Sequence, residues 1–135
     1  MGVIYAARSA ALSKWGADVG LSKHIYKIGR SDAPLKKQIE ADWAGERDWA
    51  LVAQQDDAEG LSEDEVVARV ARKQKLIDPG FYPRLKGARG VFKVLPAHVE
   101  NHMLMTRALA GDAERVEIKL KPADFGAFLI HNAVR

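Results

Sequence analysis

Short extended runs alternate with helix-patterned stretches along this chain, and glycine or proline punctuates most of the boundaries. A helix repeats its apolar positions every three to four residues and a strand every two, so a chain that keeps switching period builds a mixed α/β domain. Val3 to Ala7 suits a strand, and His24 to Gly29 suits a second, with Ile25, Tyr26 and Ile28 favouring extended backbone. Between them, residues 8–22 allow a short helix through Ala10, Ala11, Leu12 and Trp15, broken by Gly16 and Gly20. Asp32 can cap a helix with Pro34 in its first turn, and Leu35, Ile39 and Trp43 form its apolar stripe up to Gly45.

Residues 48–54 read as a strand with both faces largely covered, because Trp49, Leu51 and Ala53 alternate with Ala50 and Val52. Ser62 to Lys75 reads as a helix: Ser62 and Glu65 have capping-box spacing, and Val66, Val67 and Val70 give a buried side. Pro79, Gly80 and Pro83 exclude regular structure from the loop that follows. Residues 91–94 are predicted as a fourth strand, 96–110 as a helix closed by Gly111, 116–120 as a half-exposed strand and the stretch from Pro122 as a last helix. The expected fold is α/β (α+β), a small, mainly antiparallel sheet flanked by helices in the order ββαβα followed by βαβα. One domain over 1–135 is expected, with a core at 1–94 and a helix-strand-helix extension at 95–135.

Composition narrows the function classes. Without cysteine there is no disulfide framework, thiolate metal site or Cys nucleophile, which fits a reducing, cytoplasmic setting. No apolar run nears the roughly 20 residues that span a bilayer, and the start lacks a signal-peptide pattern, so no membrane partner is expected. The formal charge of +3 identifies no partner, but its distribution is uneven. Residues 56–65 hold Asp56, Asp57, Glu59, Glu63, Asp64 and Glu65 with no basic residue, whereas 69–93 carry Arg69, Arg72, Lys73, Lys75, Arg84, Lys86, Arg89 and Lys93 against the single acid Asp78. With Phe81 and Tyr82 inside it, that stretch could follow a phosphate backbone and stack on bases, but composition alone favours a solvated helix face followed by a polar loop. No glycine-rich phosphate loop, nucleophile elbow or Ser/His/Asp arrangement is present.

Gly2-Val3-Ile4-Tyr5 and Tyr26-Lys27-Ile28-Gly29 resemble the two signature strands of the GIY-YIG nuclease family, and more closely its phage-associated branch with KIG in place of YIG. The stretch from Leu85 to Val94 resembles that branch's closing strand. The resemblance implies a small antiparallel sheet, a catalytic arginine on a helix after the second strand and a metal-binding glutamate on a helix after the third. It implies phosphodiester hydrolysis of DNA with Mg2+ or Mn2+. Tyr5 matches the first signature tyrosine and Glu65 the metal carboxylate. Lys27 stands at the second tyrosine, with Tyr26 beside it but facing the other way. Lys36 or Lys37 falls where the arginine is expected, and lysine lacks its planar, bidentate fork. The resemblance therefore implies a nuclease-like protein whose phosphate handling is eroded. The alternative is a non-catalytic nucleic-acid- or protein-binding module, for which a homodimer is one arrangement.

Each residue also has a plain structural reading. Glu65 at the third helical position can reach back to the Ser62 amide, and Tyr5 can be a core tyrosine. Lys27 and Arg30 can be edge-strand charges that discourage sheet-to-sheet pairing, or phosphate contacts. Arg69, Arg72 and Lys73 share a helix face and are either solvated or beside a substrate groove. His98 and His102 lie four apart on a helix, a metal-ligand spacing without an evident third ligand. His131 is expected to interact with a helix C-terminus. Trp15, Trp43 and Trp49 are expected in the core, with a partner surface as the alternative for Trp15.

Overall fold

The computed structural model describes residues 2–21, 23–32, 46, 48–85, 88, 90–109 and 120–134. These form strands β1 (Val3–Ser9), β2 (Ile25–Ser31), β3 (Trp49–Asp56), β4 (Lys75–Leu76) and β5 (Val91–Lys93). The helices are α1 (Ala10–Asp18), α2 (Glu63–Ala71), α3 (Pro96–Leu109) and α4 (Pro122–Val134), with a 3-10 turn at Pro83–Leu85. The strands make one five-stranded sheet in the order β3-β1-β2-β5-β4, every neighbouring pair antiparallel. This is the expected mixed α/β fold with an antiparallel sheet flanked by helices. The helix expected from Asp32 and the strand expected at 116–120 fall mainly outside the described residues.

Strand alternation divides the apolar residues between two layers. On one face Ile4, Tyr26, Ile28 and Phe92 pack against Val66 and Val70 of α2 and Phe125 and Leu129 of α4. On the other, Ala7, Ile25 and Val91 pack against Leu12, Trp49, Ile77 and Leu85. Enclosing a side chain such as Phe92 or Leu129, each 0% exposed, is worth about 1.5–3 kcal/mol. α4, in the stretch read as an extension, thus supplies the same core as β1 and β2. A Cβ at Gly126 would lie 2.8 Å from both Ala53 Cβ and Val52 Cγ2, so the missing side chain lets α4 settle onto the sheet.

The ambiguous stretch after β1 is helical because Ser9 caps it. The Ser9 hydroxyl accepts from Leu12 N at 3.2 Å, and the Asp48 carboxylate accepts from Ala11 N at 2.9 Å and from the Ser9 hydroxyl. Burial works to raise the Asp48 pKa, but these donors hold it below the usual carboxylate range.

Three expectations are corrected. Among the described residues β3 is an edge strand, mostly exposed beyond Trp49, instead of being covered on both faces. Its register slips between Ala6 and Ala7 of β1, and both Val52 and Ala53 then pack against the helix side. The helix expected to reach Lys75 stops at Ala71, and Lys75 and Leu76 pair with β5 instead. Lys27 and Arg30 are not edge charges, because β2 lies inside the sheet between β1 and β5.

Arg30 ties the end of β2 to the turn after β3. Its guanidinium donates to Asp57 at 2.6 Å and to Asp32 at 2.9 Å, and occupies the space a Cβ at Gly2 would need. The buried Asp57 carboxylate also accepts from Glu59 N at 3.1 Å and Gly60 N at 3.0 Å. Burial opposes ionisation, yet Arg30 and these backbone donors hold its pKa below the ordinary value. A depressed folded pKa gives stability that is present above the unfolded pKa and lost as pH falls through the folded one. Urea unfolding is therefore expected to show stability falling below roughly pH 4. Asp57→Asn should cost about 2 kcal/mol at neutral pH and flatten that acid limb. An unchanged limb would dismiss Asp57 as its source.

Candidate functional site

The register of the two signature-like strands gathers the site. Tyr5 pairs with Gly29 and Ala7 with Lys27, so Tyr5, Lys27 and the bare backbone of Gly29 share one face. Of β2, only Ile25–Lys27 pair with β5, and beyond them α2 begins alongside β2. Gly90 closes the end of that pairing: it takes φ +77°, and its carbonyl accepts from Ile28 N at 2.8 Å. Glu63, the first residue of α2, reaches the Tyr5 face there. A Cβ at Gly29 would meet Tyr5 Oη at 2.6 Å and Glu63 Oε1 at 2.8 Å, so only glycine leaves room for both groups. Lys27 Nζ stands 4.0 Å from Glu63 Oε1 and 5.8 Å from the centroid of the Tyr5 ring.

Burial sets the electrostatics. The Lys27 side chain is 6% exposed and that of Glu63 is 53% exposed. Burial, and then the Glu63 charge, push the Tyr5 pKa well above that of a free phenol, so Tyr5 is an O–H donor across the working pH range. Burial lowers the Lys27 pKa, and Glu63 acts in the opposite direction. The cluster thus offers one neutral donor, one enclosed amine and one carboxylate open to solvent.

Glu65 is elsewhere. Its amide donates to Ser62 Oγ at 3.1 Å, and the Ser62 hydroxyl lies 3.3 Å from its Oε1, an N-terminal capping arrangement on the exposed side of α2. The carboxylate beside Tyr5 and Lys27 is Glu63. Sequence spacing marked the cap but gave no sign of which carboxylate of the acidic run faces the sheet.

The basic stretch divides. Arg69 bonds Glu59 at 3.1 Å and the Ala133 carbonyl at 3.3 Å, tying α2 to the end of α4. Arg84 pairs with Glu46. Arg72 is exposed, while Lys36, Lys37, Lys86 and Arg89 lie outside the described residues. Lys73, Lys75, Lys93 and His98 line one groove of about 260 Å3 with Gln74 and Leu95. Lys75 and Lys93 are cross-strand partners, a like-charge pairing that costs stability in the absence of an anion. Phe81, 75% exposed, packs edge-on to Tyr82 at 5.0 Å, and Tyr82 edge-on to Trp15 at 5.8 Å. His102 faces His131 across two helices at 4.4 Å. Among the described residues no three His, Asp or Glu side chains are grouped to hold a metal ion. No helix there is long and apolar enough to cross a membrane.

No protein-family model matches the chain, and neither the curated proteins nor the solved structures contain a match. Fold and site define an α+β domain with a Tyr–Lys–Glu cluster over the inner strands β1 and β2 of an antiparallel sheet.

Proposed function

We propose that this chain acts on DNA through a GIY-YIG-like phosphodiesterase site in which Glu63 takes the carboxylate role. The observation that carries this reading is the convergence of Tyr5, Lys27 and Glu63 around Gly29, where no larger residue fits. Hydrolysis of a phosphodiester needs an oriented nucleophile and compensation of phosphate charge. Tyr5, held protonated, orients a water or donates to a phosphate oxygen. Lys27 supplies positive charge as a point donor, a weaker clamp than a guanidinium. Glu63 suits Mg2+ or Mn2+, since it is solvent-accessible and such ions are often held by one or two carboxylates with water and substrate phosphates. The metal would neutralise phosphate charge and acidify a bound water. Lys75 and Lys93 lie on the same sheet face as Lys27 and contact the DNA backbone, relieving their own repulsion.

A second reading, DNA binding without cleavage, is favoured by the enclosure of Lys27, which is 6% exposed. Nicking of supercoiled plasmid with Mg2+ or Mn2+ separates the two. Wild type is expected to nick, and Tyr5→Phe to lose about a hundredfold in rate. Salt-sensitive DNA binding without nicking establishes the second reading instead. Absence of binding at low salt removes both.

A further inference from the structure

A second cationic cavity lies on the opposite face of the sheet, near the start of α4. Arg8 of β1, Lys23 and His24 before β2, Tyr26 of β2, and Lys121 and Phe125 at the start of α4 line a space of about 200 Å3. Arg8 and Tyr26 are offset by one residue from Ala7 and Lys27, so they project away from the Tyr5 cluster. The cavity has a built floor. Phe125 stacks on His24 at 4.8 Å and on Tyr26 at 5.2 Å, and the His24 carbonyl accepts from Val94 N at 3.0 Å.

The charge there is one-sided. Among the described residues no acid lines the cavity, and Arg8, Lys23 and Lys121 form no ion pair. Asp124, the nearest acid in sequence, accepts from Lys121 N at 2.8 Å and lines a different groove with His102 and Met103. Burial, then Lys23, then Arg8 push the His24 pKa down. Tyr26 is 2% exposed, and no described residue hydrogen-bonds its hydroxyl. Burial raises its pKa against the pull of Arg8, so the phenol remains a donor. Tyr26 lines the cavity, so a ligand oxygen there can accept from this hydroxyl.

We infer that this cavity binds a phosphomonoester dianion, with Arg8, Lys23 and Lys121 around the phosphate and the Tyr26 hydroxyl donating to one of its oxygens. The site is independent of the reading of the Tyr5 cluster. A carboxylate would satisfy fewer of these donors, since a phosphate offers three terminal oxygens to groups converging from different elements.

Isothermal titration calorimetry of the full chain with inorganic phosphate and with adenosine 5′-monophosphate tests the site. Saturable binding is expected for wild type, weakened tenfold or more by Arg8→Met and unchanged by Lys93→Met in the other groove. A mononucleotide binding at least tenfold more tightly than phosphate identifies an organic ester as the ligand, and equal affinities identify free phosphate. Lack of saturable binding of either up to about 10 mM overturns the proposal, as does equal affinity of Arg8→Met and wild type. Loss through Lys93→Met instead overturns it too, because the anion would then sit in the Lys75–Lys93 groove. Should Arg8→Met fail to fold by circular dichroism, Lys121→Met carries the comparison, with several-fold weakening expected and no change counting against the site.

Discussion

Glu63→Gln should abolish metal-dependent nicking, by about a hundredfold or more, while Glu65→Gln leaves it within about twofold of wild type. The contrast is demanding because the two residues are separated by one position and carry the same group. Glu63 Oε1 lies 4.0 Å from Lys27 Nζ and lines the space at Gly29 with the Tyr5 hydroxyl. Glutamine there keeps the shape and removes the charge needed for a divalent ion. Glu65 sits at the Ser62 cap, where glutamine satisfies the same capping arrangement, so both stability and activity should survive. Plasmid nicking at matched protein concentration reads the difference. The reverse pattern, with Glu65→Gln inactive and Glu63→Gln active, would return the carboxylate role to Glu65.

Gly90→Ala is expected to be the most destabilising of the glycine substitutions at positive φ, by about 2–5 kcal/mol in urea unfolding. Gly90 has φ +77°, and a Cβ there would lie 2.4 Å from the Ile28 carbonyl oxygen and 3.3 Å from Val67 Cγ2. The clash is with backbone, and Ile28 N already donates to the Gly90 carbonyl, so neither strand can yield without breaking the pairing. Gly20 and Gly60 separate the two contributions. They have φ of +79° and +72° but nothing within 4 Å of the added atom. Alanine at either should cost only the conformational part, about 1 kcal/mol. Equal losses at all three positions would show that the close approach to Ile28 contributes nothing.

Much of the fold is legible in the residues themselves. The alternation of β1 and β2, the Ser62 cap and the proline starts of α3 and α4 are local signals that packing reinforces. Strand order is not local, and it accounts for the misplacements. Trp49 to Ala53 read as a buried run, yet among the described residues β3 has a neighbour only in β1, and most of its side chains meet solvent. The edge-charge reading of Lys27 fails because pairing with β5 encloses it on β2. β4 has two residues and exists through its partner, so no periodicity announces it. At the site, Tyr5 and Lys27 could be singled out from their strands. Glu63 required knowing how α2 is turned by Val66, Val67 and Val70 against the sheet.

The seat of Gly126 over Ala6, Val52 and Ala53 has a kinetic meaning. It joins positions roughly 120 residues apart (126 minus 6), so the principal core closes only when distant parts of the chain have met. The entropy of that closure comes before the contacts that reward it, which places this domain among slower folders than helical proteins of its size. Until α4 docks, the edge strand β3 keeps Val52 and Ala53 uncovered, and that is the interval in which a nascent sheet is most open to pairing with a neighbour.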